Sequence, residues 1–261
     1  MTVSLGPKHS VLLGLSERPV MVVTRSCLIT SLRGATLPLF AVAFGLIHAL
    51  QLYWLSPPLE GEPLYLGAHY QLSSALLTLI APTVCVSTFT HDQAIGRVSV
   101  ALLTKLSPAQ LTLGYALAAT ILCALCLLGA LSALLPLSLI TPLPWGELSS
   151  AYTGLALTSA LFVSLSLWAS ASTSKPMSAW LRAWLLCLLT SSLEALSELG
   201  PGSARWAVAQ LGSTPHLERA LRGVLDVKDV LYFVLGAALS IYLASQSLST
   251  RYAPPSVTYS S

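Results

Sequence analysis

The sequence predicts an all-α fold: a polytopic membrane protein with six transmembrane helices. Between Lys105 and Glu147, 41 consecutive residues contain no Asp, Glu, Lys or Arg, and four other charge-free runs reach 21 residues or more. Apolar residues make up 54% of the chain and charged residues only 9%, whereas a soluble domain typically carries about 25% charged residues. A helix needs ~20 apolar residues to cross ~30 Å of hydrocarbon, so each long run can supply a span.

The first three transmembrane helices follow from the first three charge-free runs. The run 34–59 ends at Ser56, Pro57 and Pro58 and predicts a helix over about 35–56. The run 63–91 predicts a second helix over about 68–89. The 41-residue run is too long for one span at ~1.5 Å per residue. Its prolines at 136, 142 and 144 therefore limit the third helix to about 109–136.

The remaining three helices complete one domain over residues 35–250. The fourth, about 147–172, is rich in Ser, Ala and Thr, so we expect it inside the bundle, where small residues let helices approach closely. The fifth, about 177–198, carries Arg182 and Glu194 near opposite ends, and an amphipathic surface helix is the alternative. The sixth, about 229–249, has Asp226 as a predicted N-cap and Arg251 just past its end, before a tail over 251–261.

Three connecting segments also have helical patterns. Residues 17–34, within an N-terminal region 1–34, mix apolar and basic side chains and predict an interfacial helix, with a plain cytoplasmic helix as the alternative. Residues 91–108 place Val98, Ala101 and Leu102 on one face, which fits either a short helix that docks a partner or a solvated loop. The loop 200–228 predicts two short helices, the second with Thr214 as its cap and Pro215 in its first turn.

The distribution of basic residues predicts that both termini are cytoplasmic. Positively charged residues concentrate in cytoplasmic loops of membrane proteins. With an inside N-terminus, nine of the 13 Lys and Arg residues lie inside: Lys8, Arg18, Arg25, Arg33, Arg97, Lys105, Lys175, Arg182 and Arg251. The other four all fall in the single long outer loop: Arg205, Arg219, Arg222 and Lys228.

Several kinds of chemistry have no signature in the sequence. The chain contains no Gly-Lys dipeptide and hence no phosphate-binding loop, so we expect no ATPase activity. An intramembrane enzyme would need a catalytic dyad at membrane depth, and the sequence indicates none, so we expect no enzyme activity. Cys123 and Cys126 form a CxxC on an apolar helix, where packing is the simpler role. His48, His69 and His91 lie in separate segments without metal-ligand spacing. We therefore predict no catalytic, cofactor-binding or metal site.

The distribution of charge also excludes two wider classes of function. No basic cluster suggests nucleic-acid binding. The first four helices carry no charge in their interiors, which disfavours an ion-driven carrier.

Two stretches of the chain carry motifs at defined spacing. In the segment DQAIGRVSVALLTKLSPAQLTLGYALAA the motif positions are Asp92, Gly96, Leu102, Leu113, Gly114 and Ala118 or Ala119. In the segment 222–248 they are Gly223, Asp226, Tyr232 and Phe233. The first stretch resembles a pattern of the type-2 permeases of ATP-binding-cassette transporters, and the second is similar to the ending of gliding-motility and nitrous-oxide-associated permeases. The chain departs from the first pattern at four positions, namely Arg97, Ser99, Lys105 and Tyr115.

The resemblance implies a specific role for these segments. Residues 17–34 would be an elbow helix, and residues 92–108 would be the helix that couples to a separate ATPase subunit, which binds the ATP. The implied coupling residues are Asp92, Gly96, Arg97, Val98, Ala101, Leu102 and Lys105. A second permease copy or a paralogue would complete the cargo path, in a bacterial inner membrane whose lipids surround the chain, and export is the implied direction. A non-transporting anchor or scaffold subunit of an envelope complex is the alternative.

Overall fold

The computed structural model describes residues 19–34, 36–55, 66–103, 106–139, 142–197 and 208–252. Within these residues the chain is helical and has no strand. The helices are α1 Pro19–Arg33, α2 Thr36–Leu55, α3 Gly67–Ala94, α4 Arg97–Leu103, α5 Pro108–Leu134, α6 Trp145–Ala171, α7 Pro176–Ser197, α8 Thr214–Leu221 and α9 Val227–Arg251. A 3₁₀ turn, Leu137–Leu139, follows α5. The all-helical prediction is therefore confirmed.

Five of these helices are long and apolar enough to cross a membrane. They are α3, α5 with its 3₁₀ extension, α6, α7 and α9. A sixth candidate span is the bent pair Pro19–Arg33 and Pro38–Trp54, whose axes differ by 70°. The protein thus has the character of a multi-pass membrane protein, with five or six helices that can span the bilayer.

The bundle is organised around α6. This helix packs against α3, α5, α7, α8 and α9, and 72% of its apolar stretch is buried, a larger share than in any other candidate span. Most of its serine hydroxyls donate to backbone carbonyls within the helix, as Ser166 does to Phe162 O at 2.6 Å, and Ser150 donates to Ala220 O of α8 at 2.8 Å. Small, internally satisfied side chains let neighbours approach closely without an unpaired polar group. The prediction that this helix lies inside the bundle is confirmed.

Glycines allow neighbouring helices to approach closely at two crossings. A Cβ on Gly129 of α5 would lie 2.7 Å from Ala41 O of α2, and one on Gly45 would lie 3.0 Å from Gly129 O. The backbones of α2 and α5 are therefore in direct contact. A Cβ on Gly154 of α6 would lie 2.6 Å from the Cβ of Ala220, which brings α8 against α6.

The observed helix bounds lie close to the predicted ones, and the largest difference is at the end of α3. This helix continues to Ala94, whereas the sequence predicts an end near residue 89. Asp92 is buried in its last turns and hydrogen-bonded to other helices. A paired carboxylate at the helix end thus does not terminate the helix, although an unpaired charge would be costly there.

The second short helix of the 200–228 loop begins at Thr214, the residue predicted to cap it, so its N-cap lies one residue earlier. Ser213 holds the N-cap position of α8, and its side chain makes no capping hydrogen bond. Thr214 lies in the first turn and donates from Oγ1 to Ser191 O of α7 at 2.7 Å. The predicted capping role of Thr214 is wrong, because its hydroxyl joins α8 to α7 instead. A helical turn over 208–211 precedes α8, and residues 198–207 lie outside the described residues.

Candidate functional site

Most of the predicted site residues cluster at one end of the bundle. The end that carries α4 and the close of α3 is here termed the α4 end. The end that carries α8 and the beginning of α3 is termed the α8 end. Since α3 has 28 residues and rises ~1.5 Å per residue, the two ends are ~40 Å apart. The residues Asp92 to Gly114 lie at the α4 end, and those from Gly223 to Phe233 lie at the α8 end.

A buried carboxylate joins three helices at the α4 end. Asp92, near the end of α3, is only 6% exposed. It accepts a hydrogen bond from the Tyr115 hydroxyl of α5 at 2.7 Å and another from Arg97 Nη1 of α4 at 3.1 Å. A buried carboxylate is stable only when it is paired and hydrogen-bonded. The position of α4 is thus tied to both membrane helices that flank it.

The backbone on either side of α4 turns in defined ways. Gly96 has a φ of +77°, the left-handed conformation that glycine adopts without strain, and no atom lies within 4 Å of a Cβ placed there. After α4, Ser107 and Gln110 form a capping box at the start of α5, with hydrogen bonds of 3.2 and 3.1 Å. Lys105, another predicted coupling residue, lies outside the described residues.

The residues of α4 that the sequence predicts to face a partner instead face the bundle. Val98 is fully buried, and Ala101 and Leu102 pack against the hydrophobic core. The exposed apolar side chains at this place are Ile95, Val100 and Leu103, with exposed fractions of 51%, 60% and 84%. The prediction that Val98, Ala101 and Leu102 form a displayed face is therefore wrong. Their packing completes the bundle, whereas Val100 and Leu103 on the opposite side of α4 are exposed.

The helix α1 crosses α5 at Gly114, the next family-like position. A Cβ on Gly114 would lie 2.7 Å from Val23 Cγ1 and 3.2 Å from Val20 O. Thr24 of α1 also donates to Gly114 O at 3.1 Å. The absence of a side chain at residue 114 thus lets α1 pack beside the α3–α4 junction, where Cys27 is buried in the same core cluster.

At the α8 end, the remaining family-like residues form a turn and a helix start. Gly223 has a φ of +86°, and hydrogen bonds from Gly223 N to Ala220 O and from Val224 N to Arg219 O close α8 as a Schellman motif. Asp226 is the N-cap of α9 and accepts from Lys228 N at 3.1 Å. The predicted N-cap role of Asp226 is confirmed.

Three charged or titratable side chains form a buried network beside this turn. Asp229 is 1% exposed, and His216 Nδ1 lies 2.7 Å from its Oδ1. Arg219 bonds both carboxylate oxygens, from Nε to Oδ2 at 2.9 Å and from Nη2 to Oδ1. This hydrogen bonding raises the pKa of Arg219. His216 Nε2 donates to Gln210 O at 3.0 Å, since a carbonyl oxygen can only accept.

Aromatic rings cover the same network. Tyr232 stacks on His216 with ring centroids 4.1 Å apart, and its hydroxyl donates to Leu211 O at 2.7 Å. Phe233 is buried and meets Tyr232 edge-on at 5.2 Å. The two family-like aromatic residues therefore hold α8 and the 208–211 turn against α9, at the end of the bundle opposite α4.

The structure also brings together polar residues that the sequence places in separate segments. The rings of His48 and His69 lie 4.7 Å apart, edge to face. His48 Nε2 lies 2.8 Å from Ser73 Oγ, and His69 Nε2 lies 3.1 Å from the Tyr152 hydroxyl. Within the described residues, no three His, Cys, Asp or Glu side chains are grouped so that they could hold a metal.

No signal in the sequence indicates the His216–Arg219–Asp229 network or the His48–His69 contact. Both depend on how helices pack, because their members come from different elements or from both sides of a turn. No known protein-family model and no curated protein matches this sequence.

Proposed function

We propose that this chain is the membrane-spanning permease subunit of a type-2 ATP-binding-cassette transporter. It forms part of the cargo path of an exporter and couples to a separate ATPase subunit, which binds and hydrolyses ATP. A second permease copy or a paralogue completes the path along α2, α3 and α7. The chain itself contributes no catalytic residue.

The observation that carries the proposal is the construction of α4. This helix presents exposed apolar residues, Val100 and Leu103, on the side away from the bundle. Its other side is buried, and Asp92 links it by hydrogen bonds to Arg97 and to Tyr115. A displacement of α4 by a partner would therefore be transmitted to α3 and α5. That is the mechanical property required of a coupling element between an ATPase and membrane helices.

Charge supports a cytoplasmic position for the α4 end. The described basic residues of this end are Arg25, Arg33, Arg97, Lys175, Arg182 and Arg251. Positive charge concentrates on the cytoplasmic side of membrane proteins. The partner ATPase is cytoplasmic in this proposal, and α8 lies at the opposite surface of a bacterial inner membrane.

A matched pair of substitutions tests the docking role of α4. Leu103 and Leu139 are 84% and 88% exposed, and they lie at the end of α4 and beyond the far end of α5, respectively. The partner for this test is an ATPase whose gene lies beside the gene for this chain. Leu103→Asp should abolish co-purification with that ATPase, or reduce it at least about tenfold, because docking would bury the new carboxylate at the interface at a cost in free energy. Leu139→Asp should leave co-purification unchanged.

ATPase assays on the same purified proteins distinguish a permease from a non-transporting anchor. For a permease, the wild-type complex in liposomes hydrolyses ATP faster than the ATPase alone, and Leu103→Asp removes this stimulation. An anchor or scaffold subunit would bind its partner without stimulation of ATP hydrolysis. Equal ATPase binding and equal stimulation by wild-type protein and Leu103→Asp would contradict the docking role.

A further inference from the structure

A cleft of about 820 Å³ opens at the α8 end, between α3, α6, α7 and α8. It runs from Leu66 to Thr78, along nearly the first half of α3, and reaches Ser191 on the facing side of α7. The hydrogen bond from Thr214 to Ser191 O joins α8 to α7, so α8 forms part of the wall. The volume lies within the range of small-molecule sites, ~300–1,000 Å³.

Polar side chains line the α3 wall of this cleft at helical spacing. Tyr70, Ser74 and Thr78 recur four residues apart, and Gln71 lies three residues before Ser74, so these side chains share one broad face. Tyr70 is fully buried, and its hydroxyl has no hydrogen-bond partner among the described residues. An unpaired buried hydroxyl is unfavourable, so a ligand that pairs with it gains free energy. Tyr70 thus contributes an unpaired hydroxyl to the residues that line the cleft.

The mouth of the cleft is negatively charged. Glu147, Glu218 and Arg222 lie there. Arg222 Nη2 donates to Glu218 Oε2 at 3.1 Å, and both side chains are well exposed. Glu147 is half-buried in the first turn of α6 and has no ion pair among the described residues. With two carboxylates and one guanidinium, the mouth favours a cationic ligand group near Glu147.

The other walls of the cleft are hydrocarbon. Leu66, Leu188, Leu217 and Leu221 line it. A ligand that fills the cleft therefore needs an apolar part for these leucines, a hydrogen-bonding group for Tyr70 and a positive charge for Glu147. We propose that the cleft binds an amphiphile with a cationic head, an amine or a quaternary ammonium. The inference rests on the proposed function in one respect, since it names the class of cargo that such a permease moves.

Binding can be measured on the purified full chain in nanodiscs, without ATPase or ATP. The probe is a dansyl-labelled dodecyl quaternary ammonium, detected by energy transfer from the protein's tryptophans. Glu147→Gln should raise the Kd for this probe about five- to tenfold, because it removes a half-buried charge partner. Tyr70→Phe should raise it about threefold or more, through loss of one hydrogen bond.

Two controls isolate the cleft from general effects. Glu194→Gln removes a carboxylate from α7 that does not line the cleft, and it should leave the Kd unchanged. A dansyl dodecyl alcohol, which lacks the charge, should bind wild-type protein and Glu147→Gln equally well. Equal thermal unfolding midpoints of the variants exclude a loss of folded protein as the cause.

Three results would overturn the inference. The first is equal cationic-probe binding by wild-type protein and Glu147→Gln, and the second is tighter binding of a dansyl dodecyl sulfate. The third is a change in monomer–dimer equilibrium in both variants with no change in probe binding, which would assign the cleft to a second copy of the chain. Since no ATPase takes part, failure of the Leu103→Asp coupling experiment leaves this binding result intact. A negative result in the probe-binding experiment likewise leaves the result of the coupling experiment unchanged.

Discussion

Asp92 has a structural role that its place in a sequence motif does not reveal. The carboxylate is buried at the meeting point of α3, α4 and α5. Arg97 is half-exposed at 53% of its side chain, so solvent screens its part of the interaction. Tyr115 is buried, and its ring also meets Phe89 edge-on at 5.2 Å. The tyrosine hydroxyl is therefore the better-protected partner of Asp92.

Tyr115→Phe should destabilise the protein by ~1–2 kcal/mol, because it leaves a buried carboxylate oxygen without its hydrogen bond. The ring and its contact with Phe89 are retained. The measurement is the thermal unfolding midpoint of the purified chain in detergent, which should fall by several degrees. Tyr242→Phe is the matched control, since Tyr242 is 58% exposed. Equal midpoints for the two variants would show that the Tyr115 hydroxyl contributes nothing.

Local residue roles are predictable from the sequence where the cause is local. Asp226 was identifiable as an N-cap because capping depends on the side chain and the next few residues. His216 and Asp229 meet because α8 ends at Gly223 and the chain returns along α9. That contact depends on a left-handed turn and on helix packing. No pattern of residue types along the chain specifies it.

At the level of elements, α4 illustrates why helix faces are ambiguous in short segments. The helix has seven residues, and its apolar side chains are distributed around it. Val98 and Leu102 are four residues apart, and Val100 and Leu103 are three apart, so each pair predicts an apolar face. The structure buries the first pair and exposes the second. The choice is made by the Gly96 turn and by the Asp92–Arg97 contact, which are properties of the surrounding fold.

The crossing of α2 and α5 depends on the absence of a side chain at Gly129. Gly129→Ala places a methyl group 2.7 Å from Ala41 O, a backbone atom that can move only with its helix. The expected cost is ~1–3 kcal/mol from overpacking. A lower thermal unfolding midpoint should accompany a longer α2–α5 distance, measured by pulsed electron resonance between spin labels on the two helices.

Gly146→Ala is the control for this substitution, because no atom lies within 4 Å of a Cβ at residue 146 in the first turn of α6. It should keep or slightly raise stability, since alanine is the better helix former. If Gly129→Ala and Gly146→Ala behave alike, close backbone contact does not determine how α2 and α5 pack.

At the level of the whole molecule, the positions of the long helices were the most predictable feature. Hydrocarbon requires continuous helical hydrogen bonding over ~20 apolar residues, so charge-free runs and prolines mark the ends. The arrangement of the helices relative to one another is harder to predict from the sequence. Only the Ser- and Ala-rich composition of α6 indicated a central position. The cleft at the α8 end could not be predicted, because its walls come from four helices that are distant in sequence.

The topology gives a final prediction, since one long helix separates the exposed residues Leu103 and Leu139. All five native cysteines are free and buried, so a membrane-impermeant maleimide should label the wild-type chain only weakly. In intact cells, Leu139→Cys should be labelled at once, whereas Leu103→Cys should react only after permeabilisation. This order follows from the proposed cytoplasmic position of the α4 end, where the positive-inside rule retains basic side chains. Labelling of both variants in intact cells would contradict a membrane-spanning α5. The reverse order would contradict the proposed docking of α4 to a cytoplasmic ATPase.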